Sequence, residues 1–182
     1  TVLEKNKLDG IDLDFEWAEN EKEYKDYSLA ILKMREVLGD KYLFSVSLHP
    51  VCYKISKEAI EAVDFISLQC YGPSPVRFPI EKYCSDIQMV LEYGIPREKL
   101  VAGVPFYGVT KDNSKKTEAY FNFVQNGLVT SPAQNEVIYQ GDTYVFDGQD
   151  NIRIKTRYAK EQKLQGMMSW DLATDLPLSD SR

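Results

Sequence analysis

From residue 11 to residue 16 the chain alternates strictly between apolar and acidic, Ile11-Asp12-Leu13-Asp14-Phe15-Glu16. That is the period-2 signature of a β-strand. It places Ile11, Leu13 and Phe15 on one face and Asp12, Asp14 and Glu16 on the other. The period then lengthens: Tyr27, Ala30, Ile31, Met34 and Leu38 predict a helix over 23–38, with Gly39 as its left-handed cap. Residues 42–48 read as a buried strand ended by His49-Pro50. A short helix over 57–62 starts from Ser56 as its cap. Residues 65–71 form the next apolar run, closed by Gly72-Pro73. Pro79 opens a helix as its first residue; Ile80, Tyr83, Ile87, Val90 and Leu91 make its stripe, and Gly94 ends it. A strand over 100–104 follows. Residues 109–148 then break the rhythm, with a short helix over 117–125 and a hairpin pairing Val137-Ile138-Tyr139 with Tyr144-Val145-Phe146. Asp150 caps a helix over 151–163. The last strand is 166–170, with 171–175 as its exit loop.

Strand, helix, strand, helix, with buried runs of Val, Ile, Leu and Phe, predicts a parallel α/β architecture. In parallel α/β barrels the reacting groups lie at the carboxyl ends of the strands. Here those positions hold Glu16 and Trp17, His49, Gln69 and Tyr71, Phe106 and Tyr107, and Trp170 with Asp171. Acids, an amide, a phenol and indoles at one rim suit carbohydrate: aromatic rings stack on sugar faces while polar groups hold hydroxyls and amides. Core packing is the competing role for any one of these rings.

The acidic face is unusual. Same-face neighbours on a strand stand ~6.5–7 Å apart, and like charges at that spacing repel unless one is neutralised. Keeping one carboxyl protonated beside an ionised one is how acid catalysis is arranged near neutral pH. A solvated acidic edge strand or a strand of metal ligands is the alternative on spacing alone.

Composition narrows the choice. The chain has 182 residues, 43% hydrophobic and 27% charged, enough for one domain with a real core. Its net charge is −6 and its basic residues are dispersed, the densest cluster being a solvated loop at 111–116. Nucleic-acid binding is disfavoured. No apolar run approaches the ~20 residues of a membrane span. The single histidine, His49, removes Ser-His-Asp, Cys-His and multi-His metal chemistry, and reads as a packed or capping residue. Cys52, Cys70 and Cys84 lack CxxC spacing, so a zinc site is not expected.

Asp9-x-x-Asp12-x-Asp14-x-Glu16 resembles the DxxDxDxE signature of glycoside hydrolase family 18, the chitinases and endo-β-N-acetylglucosaminidases. In that family the motif lies on the fourth strand of a (β/α)₈ barrel. The resemblance continues unevenly. Residues 63–71 resemble the sixth strand, with Gln69 and Tyr71 matching the Gln-x-Tyr version; residues 101–108 resemble the seventh, and 166–171 the eighth. Gly72 stands where many members carry an Asp that contacts sugar. The excursion at 109–148 is shorter than the insertion domain that deepens some clefts, which implies an open groove.

What the resemblance implies is specific. Glu16 would protonate the leaving glycosidic oxygen and later activate water. Asp14 would hold the substrate's N-acetyl group for attack on the anomeric carbon, Asp12 would share a proton with Asp14, and Tyr71 with Gln69 would bond the acetamido group. Trp170 would floor the sugar site, Trp17 and Tyr107 would contact sugar, and Asp9 would brace the strand start. No metal or organic cofactor enters this scheme. The partner would be an N-acetylglucosamine oligomer or polymer, chitin or an N-glycan, and the protein would be secreted or cell-surface. A non-catalytic sugar-binding relative is the reading from another class. A closed barrel takes eight strands and ~250 residues, whereas five strands are legible here. The expectation is therefore an incomplete barrel, the C-terminal part of one domain in a longer protein whose first three strands complete the sheet.

Overall fold

The structure is a computed structural model that describes residues 2–72, 78–112 and 116–177. Pro73 and part of the basic loop at 111–116 lie outside the described residues. After a short helix α1 (Val2–Asn6), the main body runs β1 (Gly10–Asp14), α2 (Glu21–Leu38), β2 (Leu43–Leu48), α3 (Lys57–Ala62), β3 (Phe65–Leu68), α4 (Ile80–Tyr93) and β4 (Leu100–Pro105). An excursion follows, with β5 (Tyr107–Thr110), β6 (Thr117–Ala119), α5 (Tyr120–Gln125), β7 (Glu136–Tyr139) and β8 (Asp142–Val145). Helix α6 (Gln149–Glu161), β9 (Gly166–Trp170) and a 3₁₀ turn (Leu172–Thr174) follow.

Strands β1-β2-β3-β4-β9 form one sheet in that order, every pair parallel. That is a partial (β/α)₈ barrel. Its outer face carries Phe44, Val46, Leu48, Ile66, Leu68, Ala102 and Val104, packed under Tyr27 and Ile31 of α2 and Tyr83, Ile87 and Val90 of α4. Burying these side chains stabilises the fold by ~1.5–3 kcal/mol each. Two glycines permit close approach: a Cβ on Gly10 would stand 2.2 Å from the Leu43 carbonyl oxygen, and one on Gly103 would stand 2.9 Å from the Tyr71 ring.

Helix ends are tied down by named groups. The Asn20 side chain accepts from the Glu23 amide, so α2 starts at Glu21 instead of 23. Gly39 has a positive φ of 59° but an extended ψ, so the helix ends without the left-handed cap expected there. Ser56 caps α3 as read. Pro79 occupies the cap of α4 one residue before the helix, and Gly94 is its left-handed terminator. Gly148, not Asp150, precedes α6, because Asp147 turns inward and the helix begins at once; Asp150 sits in its first turn. Lys99 donates to the carbonyls of Ile60, Glu61 and Val63, which satisfies the end of α3.

Four strand limits differ from the pattern. Strand β1 stops at Asp14, β2 omits Tyr42, β3 stops at Leu68 and β4 extends to Pro105. Pairing ends first on the edge strand. Only Leu13 of β1 packs into the core; Ile11 and Phe15, expected on the buried face, remain 39% and 44% exposed. The excursion is a four-stranded antiparallel sheet, β6-β5-β8-β7. It begins at Tyr107, ahead of the 109 boundary, and Thr117–Ala119 is strand where a helix was expected. Its hairpin pairs Val137 with Tyr144 and Tyr139 with Asp142. Only Gln140 and Gly141 form the turn, both at positive φ, as a tight two-residue connection demands.

Candidate active site

The parallel register explains the site. Paired residues of parallel strands point to the same side, so Asp12 lies beside Ser45 and Asp14 beside Ser47. Ser47 lies beside Ser67, Gly103 beside Met168, and Pro105 beside Trp170. Continued past the strand ends, the alternation delivers Glu16, His49, Gln69, Tyr71 and Tyr107 to one rim. These groups line a cavity of about 570 Å³ together with Trp17 and Gly72.

The acidic groups have distinct surroundings. Each Asp12 oxygen accepts a hydroxyl proton, from Ser45 Oγ at 2.5 Å and Ser47 Oγ at 2.8 Å. Asp14 accepts from Gln69 Nε2, which stands 3.2 Å from both of its oxygens. Burial raises the Asp14 carboxyl above its ordinary value, and the negative charges of Glu16 and Asp12 push it further, while the Gln69 amide opposes them. Glu16 stands beyond the end of β1, exposed on the cavity wall. Tyr71 is buried, and desolvation with the neighbouring Tyr107 and Asp14 pushes its phenol upward.

A stability consequence follows from Asp14. Its folded-state value is raised, so the folded chain holds the proton more tightly than the unfolded one. The resulting stability is present below the ordinary value of 3.8 and is lost as pH rises through the raised value. Asp14→Asn lacks this term. The melting temperature of Asp14→Asn minus that of the wild type is expected to grow as pH rises above 3.8; a difference that shrinks instead would contradict the assignment.

The aromatic groups divide. Trp17 meets His49 edge-on at 4.3 Å between ring centroids. Tyr107 sits edge-on to both Tyr71 and Phe78 at 6.3 Å. Trp170 is 56% exposed and presents its indole at the open rim. Phe106 faces away, into the main core and a second, smaller cavity. Asp9 is exposed, and its backbone carbonyl accepts from the Leu43 amide at 2.9 Å, tying β1 to β2 at its start. Asp171 caps the 3₁₀ turn Leu172–Thr174 through its side chain. The three cysteines are free thiols, two of them buried.

Sequence reasoning missed Ser45, Ser47 and Met168; it placed His49 at the rim but read it as a packed or capping residue. His49 is indeed buried, and Val51 N donates to its Nδ1 at 3.4 Å, yet the ring also forms cavity wall. The signal was present: Ser45-x-Ser47-x-His49 repeats on β2 the alternation of Asp12-x-Asp14-x-Glu16 on β1. Among the described residues no group of three or more His, Cys, Asp or Glu is arranged to hold a metal ion, and no helix is long and apolar enough to cross a membrane.

Comparison with known proteins agrees with this architecture. "Probable chitinase 2" of Drosophila melanogaster is 23% identical over 239 residues, which cover 96% of this chain and 49% of the relative. The GH18 chitinase ChiB from the chitin utilization locus of Flavobacterium johnsoniae superposes with a TM-score of 0.78 at 27% identity, covering 96% of this chain and 57% of that one. A GH18 chitinase from Cycas revoluta, solved in complex with (GlcNAc)3, gives a TM-score of 0.76 at 19% identity, covering 95% and 66%. The chain thus spans about half the length of the Drosophila relative. The profile of glycosyl hydrolases family 18 matches residues 1–175, so the acidic strand, the parallel sheet and the rim all fall within the match, and the chain belongs to that family.

Proposed function

We propose that the protein hydrolyses β-1,4-linked N-acetylglucosamine polymers with retention, using the substrate's own acetamido group. The observation that carries this reading is the inner face of the sheet, which brings Asp12, Asp14, Glu16, Gln69, Tyr71 and Trp170 around one cavity. All three acids lining it come from β1 and the residues just past its end. A two-carboxylate retaining scheme needs carboxyl groups flanking the scissile bond ~5–5.5 Å apart. Here the wall formed by the chain just beyond β3 and by β5 and β9 contributes an amide, two phenols, a thioether and an indole in place of a second acid. The nucleophile is therefore sought in the substrate.

In the proposed reaction the Glu16 carboxyl gives its proton to the leaving glycosidic oxygen. The acetamido carbonyl oxygen attacks the anomeric carbon as the glycosidic C–O bond breaks, forming an oxazolinium ion. Asp14 accepts the acetamido N–H, which orients the carbonyl, and Tyr71 with Gln69 steadies the acetamido oxygen. Water then adds at the anomeric carbon and returns a proton to Glu16. Trp170 and Trp17 offer sugar faces a surface. The relatives named chitinases and the (GlcNAc)3 complex support the substrate class.

The same proposal requires a closed barrel. Among the described residues both outer strands of the five-stranded sheet, β1 and β9, have an open edge, and Ile11 of β1 and Leu43 of β2 are 39% and 54% exposed. Bare parallel edges are poorly stable on their own. The closing strands are taken to come from the rest of the protein.

Substrate assistance has a direct test. Fully deacetylated oligomers lack the carbonyl nucleophile and are expected to be cut far more slowly than fully acetylated ones. Equal kcat/KM for the two would sink the oxazolinium route.

A further inference from the structure

We propose that Cys52 is a positioning residue for Glu16: its sulfur accepts the Ala18 amide and, with the His49 ring set against Trp17, fixes the turn that carries the acid off β1. The need for such a clamp follows from where the sheet stops. The register of β1 with β2 ends at Asp14 beside Ser47, so Glu16 lies two residues past the last paired position. The next regular element, α2, begins only at Glu21. An acid that must meet a glycosidic oxygen within hydrogen-bond reach needs its backbone held. The bond that holds it is Ala18 N to Cys52 Sγ, 3.2 Å long and buried. Ala18 is 3% exposed and Cys52 2%, so water cannot take the place of either partner.

The sulfur sits on a stiff platform. His49 N donates to the Cys52 carbonyl at 3.2 Å and Cys52 N to the His49 carbonyl at 2.7 Å, closing Pro50 and Val51 into a tight turn. From α2, the Tyr24 hydroxyl donates to the Val51 carbonyl at 3.3 Å, and Ser28 Oγ accepts from Ser56 N at 2.8 Å. From α4, the Tyr93 hydroxyl donates to the Ile55 carbonyl at 2.9 Å. Residues 49–56 are thus tied to two helices that back the sheet. They touch the acid's turn twice, through the His49 ring on Trp17 and through Cys52 on Ala18. Glu16 and Trp17 are therefore bracketed between the ladder at Asp14 and the sulfur at Ala18. Gln69, Tyr71, Met168 and Trp170 reach the cavity from β9 and the chain beyond β3, away from this turn. Loss of the sulfur is expected to displace the acid and leave those groups in place.

That Glu16 is the acid rests on the glycosidase reading; that Cys52 holds the turn does not, so the test reads each separately. In the full-length protein, NMR follows hydrogen exchange at the Ala18 amide. Protection is expected in the wild type and in Cys52→Ser, whose hydroxyl still accepts. It is expected to be lost in Cys52→Ala and in Cys52→Val, which refills the volume without an acceptor. On acetylated oligomers, kcat/KM is expected to fall about 10- to 100-fold in the alanine and valine variants, the scale of a misplaced catalytic group. Cys52→Ser recovers most of that loss. A dinitrophenyl glycoside of the same sugar supplies the contrast, because its leaving group departs without a proton. Its kcat/KM reports bond breaking alone and is expected to change little in any variant, whereas general damage to the site would lower both substrates alike. Equal losses on the two substrates would overturn the proposal, as would unchanged Ala18 protection in both Cys52→Ala and Cys52→Val. If the wild type cuts neither substrate, the glycosidase reading fails, and the Ala18 exchange still decides whether Cys52 holds the turn.

Discussion

Glu16→Gln is expected to lower hydrolysis of acetylated chito-oligomers by at least ~10²–10⁴-fold, the span of general acid catalysis, while the oligomers still bind. Glu16 is the last acid of the alternating strand and the one placed beyond its end, where the inner face meets the cavity. Glutamine keeps the shape and can donate an N–H hydrogen bond, but it cannot transfer a proton to the leaving oxygen. Trp17, Trp170, Gln69 and Tyr71 are untouched, so sugar contacts persist. Turnover and calorimetric binding, both measured on the full-length protein, separate the two effects. Wild-type turnover in the variant would remove Glu16 from the acid role. A wild-type protein that binds oligomers and never cuts them would favour a sugar-binding relative instead.

The main sheet was legible because parallel strands with one face buried under helices carry apolar runs: the limits of β9 match the pattern, and β2, β3 and β4 differ only at their ends. The excursion was less so. Tyr107–Thr110 follows Pro105 with one residue between, and Thr117–Ala119 is three residues long; such strands exist through their partners β8 and β5, not through a period of their own. In the site, the acids stood out because three carboxylates on one face are costly. The serines beside them carry no such cost. Read as one buried run, residues 42–48 conceal that Phe44, Val46 and Leu48 face the helices while Ser45 and Ser47 face the other way, onto Asp12. Register was the missing quantity. Once Asp12 is paired with Ser45, the rest of the inner face follows.

Lys155→Met is expected to cost about 3–5 kcal/mol of folding stability, the usual result of stripping one partner from a buried ion pair. Asn151 and Lys155 stand at i and i+4 on one face of α6, with Lys155 buried, and Asp147, just ahead of the helix, meets them there. Lys155 Nζ stands 2.5 Å from Asp147 Oδ2, with side-chain exposures of 1% and 0%. Asn151 Nδ2 donates to the other oxygen at 3.2 Å. The ammonium also lies 5.4 Å from the centre of the Tyr83 ring on α4, an added attraction for a buried cation. The pair therefore joins the exit of the antiparallel excursion to α6 and α4, the helices that back the sheet. Methionine fills the volume of the lysine stem but leaves the Asp147 carboxylate buried without its cation. Burial already pushes that carboxyl upward, so with Lys155 gone it would take up a proton sooner than before. The double variant Asp147→Leu/Lys155→Met removes both charges and is expected to regain most of the loss, because apolar replacements of buried pairs are often neutral or better. Equilibrium unfolding in denaturant compares the three proteins. If the double variant is as unstable as Lys155→Met, then volume and packing at α6 carry the stability, and the buried charge does not.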